Sequence, residues 1–282
     1  MKIPSQHDTR LFRPPFSSLY SLPAAAVPFV FLALSLVCGY SADDAATAPK
    51  PPLKVLLIAS GCCHDYKTLA PFLRTNLAQH VNADIEFHFG LDVLANPNFA
   101  DAYDAVIYDV CEEDTLAANL DNVMQATRAG KPTVMLHCSI HAFRNSPKIS
   151  EWETLCGMRS KVHDSFGPFT VTRCDPSDPI TKSFPDDWST AGDELYQTIA
   201  IDPQSHQLLK AKSPRDGRVH VVCWTCQFGQ GRVFSTTLGH DLKTTATPEY
   251  LQLVANGLLW SCSKLTEDGK PAPGYAAAQS KN

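Results

Sequence analysis

Several stretches of this chain end in residues able to accept or donate a proton near neutral pH. The run Val233 to Leu238 (VFSTTL) is apolar and β-branched, follows the glycine turn Gly229/Gly231, and reads as a buried strand. It ends in Gly239, His240 and Asp241, so two titratable groups leave a strand end just after a residue with no side chain. Three further apolar runs end in the same way. Lys54 to Ala59 is followed by Gly61, Cys62, Cys63 and His64. Tyr103 to Asp109 is followed by Cys111 and Glu112, and Pro132 to His137 by Cys138, Ser139 and His141. Histidines and acids converging on one edge imply general acid and base work, or neutral imidazole and carboxylate donors for a divalent cation.

The elements that must position these residues follow from the hydrophobic periods. Strand-type runs at 54–59, 84–89, 103–109 and 132–137 alternate with helix patterns at 67–81 and 114–128, the second stopping at Gly130. Strands alternating with helices imply a three-layer α/β fold with a mostly parallel sheet. In such sheets the site lies beyond the carboxyl ends of the strands, where the histidines above fall. The second half is less regular. A short helix is expected at 149–155, strands at 169–173, 195–199, 207–211 and 219–224, and a closing helix at 248–260 with Pro248 in its first turn. The polar segment 264–282, with its Pro, Gly and Ala, reads as a disordered tail.

The amino terminus reads differently. Lys2, Arg10 and Arg13 are basic, Ala24 to Val37 is apolar but short for a membrane span, and Gly39, Ser41 and Ala42 are small. This order marks residues 1–42 as a secretory signal peptide, with 43–52 a Pro/Ala linker to a domain at 53–263. Val37 occupies the position where a lipobox needs a small residue, which argues against lipid on Cys38. The expectation is an exported, soluble, periplasmic or extracellular protein with no membrane contact after cleavage. A net charge of -5 and a pI near 6.0 give no electrostatic case for nucleic acid. Without Cys38, the ten cysteines leave an odd number, so one thiol stays free or joins two copies in a homo-oligomer. Cys111, Cys138 and Cys223 sit at the ends of apolar runs and are expected as buried thiols. Cys223 and Cys226 form a lone CxxC, and on a strand their spacing puts them on opposite faces or at a turn.

Six motifs occur here in an order that resembles one family: GCCHDY (61–66), GKPTVMLHCSIHAF (130–143), Val162-His163, Asp178-Pro-Ile-Thr181, Asp193-Glu-Leu-Tyr196 and GQGRVFSTTLGHD (229–241). The chain resembles the ThuA-like, trehalose-utilisation family from Leu53 to Trp260. The resemblance implies a flavodoxin-like sandwich similar to class I glutamine amidotransferases, and a small-molecule carbohydrate ligand, including keto-sugars formed by partner dehydrogenases. It also implies a sharp turn at His137, where related amidotransferases carry a nucleophilic cysteine. Cys138 stands one residue further on and is not expected to act as a nucleophile. Asp178 replaces a histidine that usually precedes Pro-Ile, so any role of that histidine is lost here.

Moving a proton beside a sugar carbonyl needs a base, an acid and donors for the enediolate charge. His137 and Glu194 are the expected base and acid, with His64 and His240 completing the catalytic set. His163 is the candidate ligand for a divalent metal, and Asp193, Tyr196, Asp241 and Trp152 are candidate substrate contacts. An isomerase, lyase or hydrolase would fit this set. The competing class is a non-catalytic carbohydrate-binding module, with Trp152, Trp188 or Tyr196 stacked on a sugar face.

Overall fold

A computed structural model describes residues 50–277. The segment expected to be a signal peptide, most of the expected linker and the last five residues lie outside the described residues. In chain order the elements are β1 (Leu53–Gly61), α1 (Tyr66–Leu77), β2 (Ala83–Phe89), β3 (Ala105–Cys111), α2 (Ala117–Arg128) and β4 (Thr133–Leu136). A 3₁₀ turn over His137–His141 leads to α3 (Ile149–Cys156), β5 (Met158–His163), β6 (Thr170–Arg173), β7 (Trp188–Ser189) and β8 (Tyr196–Ile201). Then come β9 (His206–Lys212), β10 (Val219–Phe228), β11 (Gly231–Thr236), α4 (Leu242–Thr245) and α5 (Pro248–Ser261).

Nine strands form one sheet in the order β2-β1-β3-β4-β11-β10-β9-β6-β7, and β5 pairs with β8 in a separate ribbon. The pairs β1–β2, β1–β3, β3–β4 and β4–β11 are parallel, so the carboxyl ends of this half face one way. From β10 outward the pairing is antiparallel. Helices cover both faces, giving the α/β three-layer sandwich expected. The period of two along β1 builds both layers. Val55, Leu57 and Ala59 join the core under α1 and α5, while Leu56 and Ile58 join the core under α2 and α3.

Local signals fix the helix starts. The Asp65 carboxylate accepts from Thr68 N–H at the start of α1, and the Thr247 hydroxyl accepts from Tyr250 N–H beside Pro248 in α5. Gly61 has φ +136°, and a Cβ there would lie 2.5 Å from the Cys111 carbonyl oxygen. Only glycine lets β1 and β3 end this close together.

Three expectations change. The segment from Lys264 to Ala277, expected as disordered, is folded onto the domain. Lys264 N–H donates to the Leu259 carbonyl of α5 and Ala272 N–H to the Lys264 carbonyl, each at 2.7 Å, Ala276 bridges Val81, and Tyr275 packs on the core with Lys50 and Lys264 over its ring. One aromatic with two cation stems supplies enough contact to hold a polar tail. Cys111 and Cys138, expected as thiols, form a disulfide across 27 residues, because parallel β3 and β4 deliver their ends side by side. The β5 strand was not anticipated: Arg159, Lys161 and Val162 are exposed, so it lacks an apolar signature. Cys223 and Cys226 lie in opposite cores, as their spacing on a strand requires. Among the described residues no helix is long and apolar enough to cross a membrane.

Candidate active site

Three parallel strand ends on one edge of the sheet carry the chemistry. His64 follows β1, His137 follows β4, and His240 follows β11. Their rings meet edge to face, with centroids 4.7 Å apart for His64 and His137, 4.6 Å for His64 and His240, and 5.5 Å for His137 and His240. Glu194, just before β8, closes the group. Its carboxylate lies 3.6 Å from His137 Nε2, 3.4 Å from His240 Nδ1 and 3.6 Å from His163 Nδ1.

His137 is the centre of this cluster. It is buried and holds φ +44°, left-handed backbone that few residues with a side chain adopt. Its Nδ1–H donates to the Thr237 carbonyl at 2.6 Å, which leaves Nε2 toward Glu194 and the Tyr196 hydroxyl at 3.4 Å. Burial works against the imidazolium. Glu194, the Asp193 carboxylate at 3.9 Å and the Thr237 carbonyl outweigh it and hold the ring above the ordinary histidine range. Burial would raise Glu194, but its contact with His137 and the charges of His137, His163 and His240 carry it down to about 2. His64 moves the other way. Burial and the neighbouring His137 and His240 lower it to about 3, so it stays neutral beside a charged ring. His141, stacked on Tyr196 at 4.0 Å, is lowered to about 3 by burial and by the charges of His137, His163 and Arg144.

A cleft of about 330 Å³ opens over the cluster, lined by Cys63, His64, His141, His163, Glu194 and His240 among others. The expected His64, His137, Glu194, His240 and Tyr196 come together here. One donor atom from each of His64, His137, Glu194 and His240 can be chosen so that all lie within 4.8 Å of one another, a set that fits a small divalent ion. His163, the expected metal ligand, stands outside that group, and its Nδ1–H donates to the Asp164 carbonyl at 2.8 Å.

The other residues singled out from the sequence are placed as follows. Trp152 is fully buried and donates its indole N–H to the Ser139 carbonyl at 2.9 Å, so it has no face for a sugar. Asp241 accepts from Lys243 N–H and caps α4. Asp193 has no exposed surface. Its carboxylate accepts from the N–H groups of Glu194 and Gly239 at 2.8 Å and of His240 at 3.2 Å, pinning two site residues instead of reaching a ligand. Asp178 pairs with His206 at 2.8 Å. Cys138 is tied in its disulfide, and the Cys63 thiol is pushed up by its hydrogen bond with Cys62 and by burial. Among the anticipated polar residues of the edge, Asp109 is buried and pushed up to about 7 by that burial.

Arg144, Lys161 and Arg215 also line the cleft, and the sequence did not reveal them. A signal existed in β5, where Arg159, Lys161 and His163 recur at every second residue.

The family model described as "ThuA: Trehalose utilisation" matches residues 54–261. Among solved structures, a thua-like protein from Parabacteroides merdae is 19% identical with a TM-score of 0.62, covering 81% of this chain and 98% of its own. A thua-like protein from Bacteroides uniformis is 16% identical with a TM-score of 0.64, covering 80% and 97%. A GMP synthase protein from Thermoplasma acidophilum shares the fold at 12% identity and a TM-score of 0.52, covering 75% and 94%. No curated protein matches the chain. With that family model matching residues 54–261, the chain belongs to the ThuA, trehalose-utilisation, family.

Proposed function

We propose that this protein is an exported enzyme that moves protons on sugars or keto-sugars at the carboxyl edge of its sheet. The observation that carries this reading is the meeting of His64, His137 and His240 around one carboxylate, with Glu194 3.6 Å from His137 Nε2 and 3.4 Å from His240 Nδ1, which holds the proton affinity of His137 above the ordinary histidine range. His240, its Nδ1 3.4 Å from the Glu194 carboxylate, takes the proton from a carbon next to the carbonyl, and the electron pair moves onto the carbonyl oxygen. His64, pushed down to about 3, is too weak a base for carbon and stays a neutral wall of the site. His137, which already carries a proton, donates toward that oxygen, with Tyr196 beside it. Return of the proton to the adjacent carbon completes an isomerisation, and departure of a β-substituent completes an elimination. Glu194 thus acts as the carboxylate that keeps His137 charged, a role different from the acid expected from sequence.

A divalent ion held by His64, His137, Glu194 and His240 would bind these imidazoles in their neutral form and would supply a Lewis acid for the carbonyl oxygen in place of the His137 proton. The Thr237 carbonyl that orients His137 is the kind of outer partner such a ligand has. Export is supported by the amino-terminal pattern and by the Cys111–Cys138 disulfide. A purely sugar-binding role is disfavoured because Trp152 is enclosed and Tyr196 is covered by His141.

His137→Gln tests the reading, because it keeps the size and some hydrogen bonding but removes the titration. Turnover of a keto-sugar is expected to fall about 10²–10⁴-fold at temperatures where melting shows the variant folded, although glutamine in this left-handed backbone costs some stability. Unchanged turnover would refute it.

A further inference from the structure

The cleft has a second part. Next to it lies a larger hollow of about 470 Å³, and the two share His141, Arg144 and Lys161 as a common wall. Arg159 lines the far side of the larger hollow, and Arg215 the near cleft. Four cations therefore ring a trough whose acids are Glu153 in the hollow and Glu194 in the cleft. Glu194 is already engaged by three histidines.

This charge is not neutralised nearby. Among the described residues, lysine and arginine ion pairs involve Lys148, Arg173, Arg218 and Lys270. Arg144, Arg159, Lys161 and Arg215 are not among them, and the Arg215 guanidinium donates a single 3.5 Å bond, to the His163 carbonyl. In a protein of net charge -5, a one-sign ring at the active cleft calls for a ligand of the opposite sign. The backbone fixes where one of these cations stands. Phe143 is buried at φ +59°, a conformation unusual for an aromatic residue, and is fixed by its N–H bond to the Glu112 carbonyl at 2.6 Å. That strained turn immediately precedes Arg144 on the cleft wall. The Arg144 charge reaches into the cluster, where it acts on His141, Tyr196 and Cys63.

We infer that the site takes an anionic sugar, one bearing a phosphate or carboxylate group, with Arg144 and Lys161 holding that group at the junction of the two hollows while the reacting carbons lie over His137 and His240. This rests on the reading of the cleft as a sugar site and adds a substrate class to it. Guanidinium and ammonium groups bind both oxyanions by charge-assisted hydrogen bonds.

Binding of glucose 6-phosphate, glucuronate and glucose, measured by calorimetry at low and high ionic strength, tests it. At least one of the two charged sugars is expected to bind about tenfold or more tightly than glucose at low salt, and high salt should erase the gap. The stronger of the two identifies phosphate or carboxylate as the group preferred. Arg144→Gln combined with Lys161→Gln should bring the charged sugars to the level of glucose, with melting confirming that the variant folds. Should the pair not fold, Lys161→Gln alone, at an exposed strand position, should narrow the gap. Equal binding of all three sugars, no binding of any, or a preference that survives the double substitution overturns the inference. The acid/base reading fails separately, through unchanged turnover in His137→Gln, and that result leaves the charge preference standing.

Discussion

Replacing Asp193 by asparagine separates two roles that sequence and structure assign differently to one residue. A substrate contact would be felt in KM alone. In the structure Asp193 is enclosed, and its two oxygens accept three backbone N–H groups, from Glu194, Gly239 and His240. Hydrogen bonds to a charged group are worth roughly 1.5–3 kcal/mol each. Asparagine keeps one oxygen, so Glu194 and His240 retain an acceptor, weakened by loss of charge. The new amide nitrogen faces either the Gly239 N–H or the other two donors, which breaks at least one bond outright. Burying a neutral amide instead of a carboxylate returns part of the loss. The net destabilisation expected is about 2–3 kcal/mol, measured as the change in urea midpoint at constant slope. The exchange also frees the His240 loop and removes one of the two carboxylates facing His137, so kcat should fall more than KM rises. A variant as stable as the wild type, with only KM raised, would refute the pinning role and restore the contact role.

Two further outcomes follow from buried groups. The Asp109 carboxyl is held protonated up to about pH 7, whereas the unfolded chain releases that proton near pH 4. Its favourable contribution is therefore full below pH 4 and is lost as pH rises toward 7, a ceiling of roughly 4 kcal/mol. Asp109→Asn should be more stable than wild type above pH 7 and similar to it near pH 4, as read by urea unfolding across that range. Equal stability at both ends would contradict this. Trp152→Phe loses the bond to Ser139 and ring contact with Tyr108 and Phe143, and should lower stability by about 1.5–3 kcal/mol while leaving sugar affinity unchanged in calorimetry.

The parallel half of the fold was legible because its strands are near-continuous apolar runs ending in the same kinds of residue. That pattern placed His64, His137 and His240 on one edge before any distance was known. Glu194 and Tyr196 entered through the resemblance, because nothing in their local pattern marks them. The errors have physical causes. Trp152 and Asp193 were read as ligand contacts because residue type says nothing of which way a side chain faces. The tail was misjudged because composition cannot register one anchoring tyrosine. Lys161 and Arg159 lie on a strand of polar alternation, which resembles loop sequence. The Cys111–Cys138 bond needs the β3–β4 register, which spans 27 residues of sequence.

The φ of +44° at His137 limits the replacements this position can accept. In left-handed backbone, asparagine, aspartate and histidine are tolerated well above other residues with side chains, and β-branched ones scarcely at all. The turn thus filters the reactive groups that descent could place at the head of this edge. An imidazole or carboxylate suits the backbone as it stands. A threonine or valine would have to unwind the turn, moving the Thr237 contact with it. The menu of chemistries open to this fold is set as much by one dihedral angle as by the cleft above it.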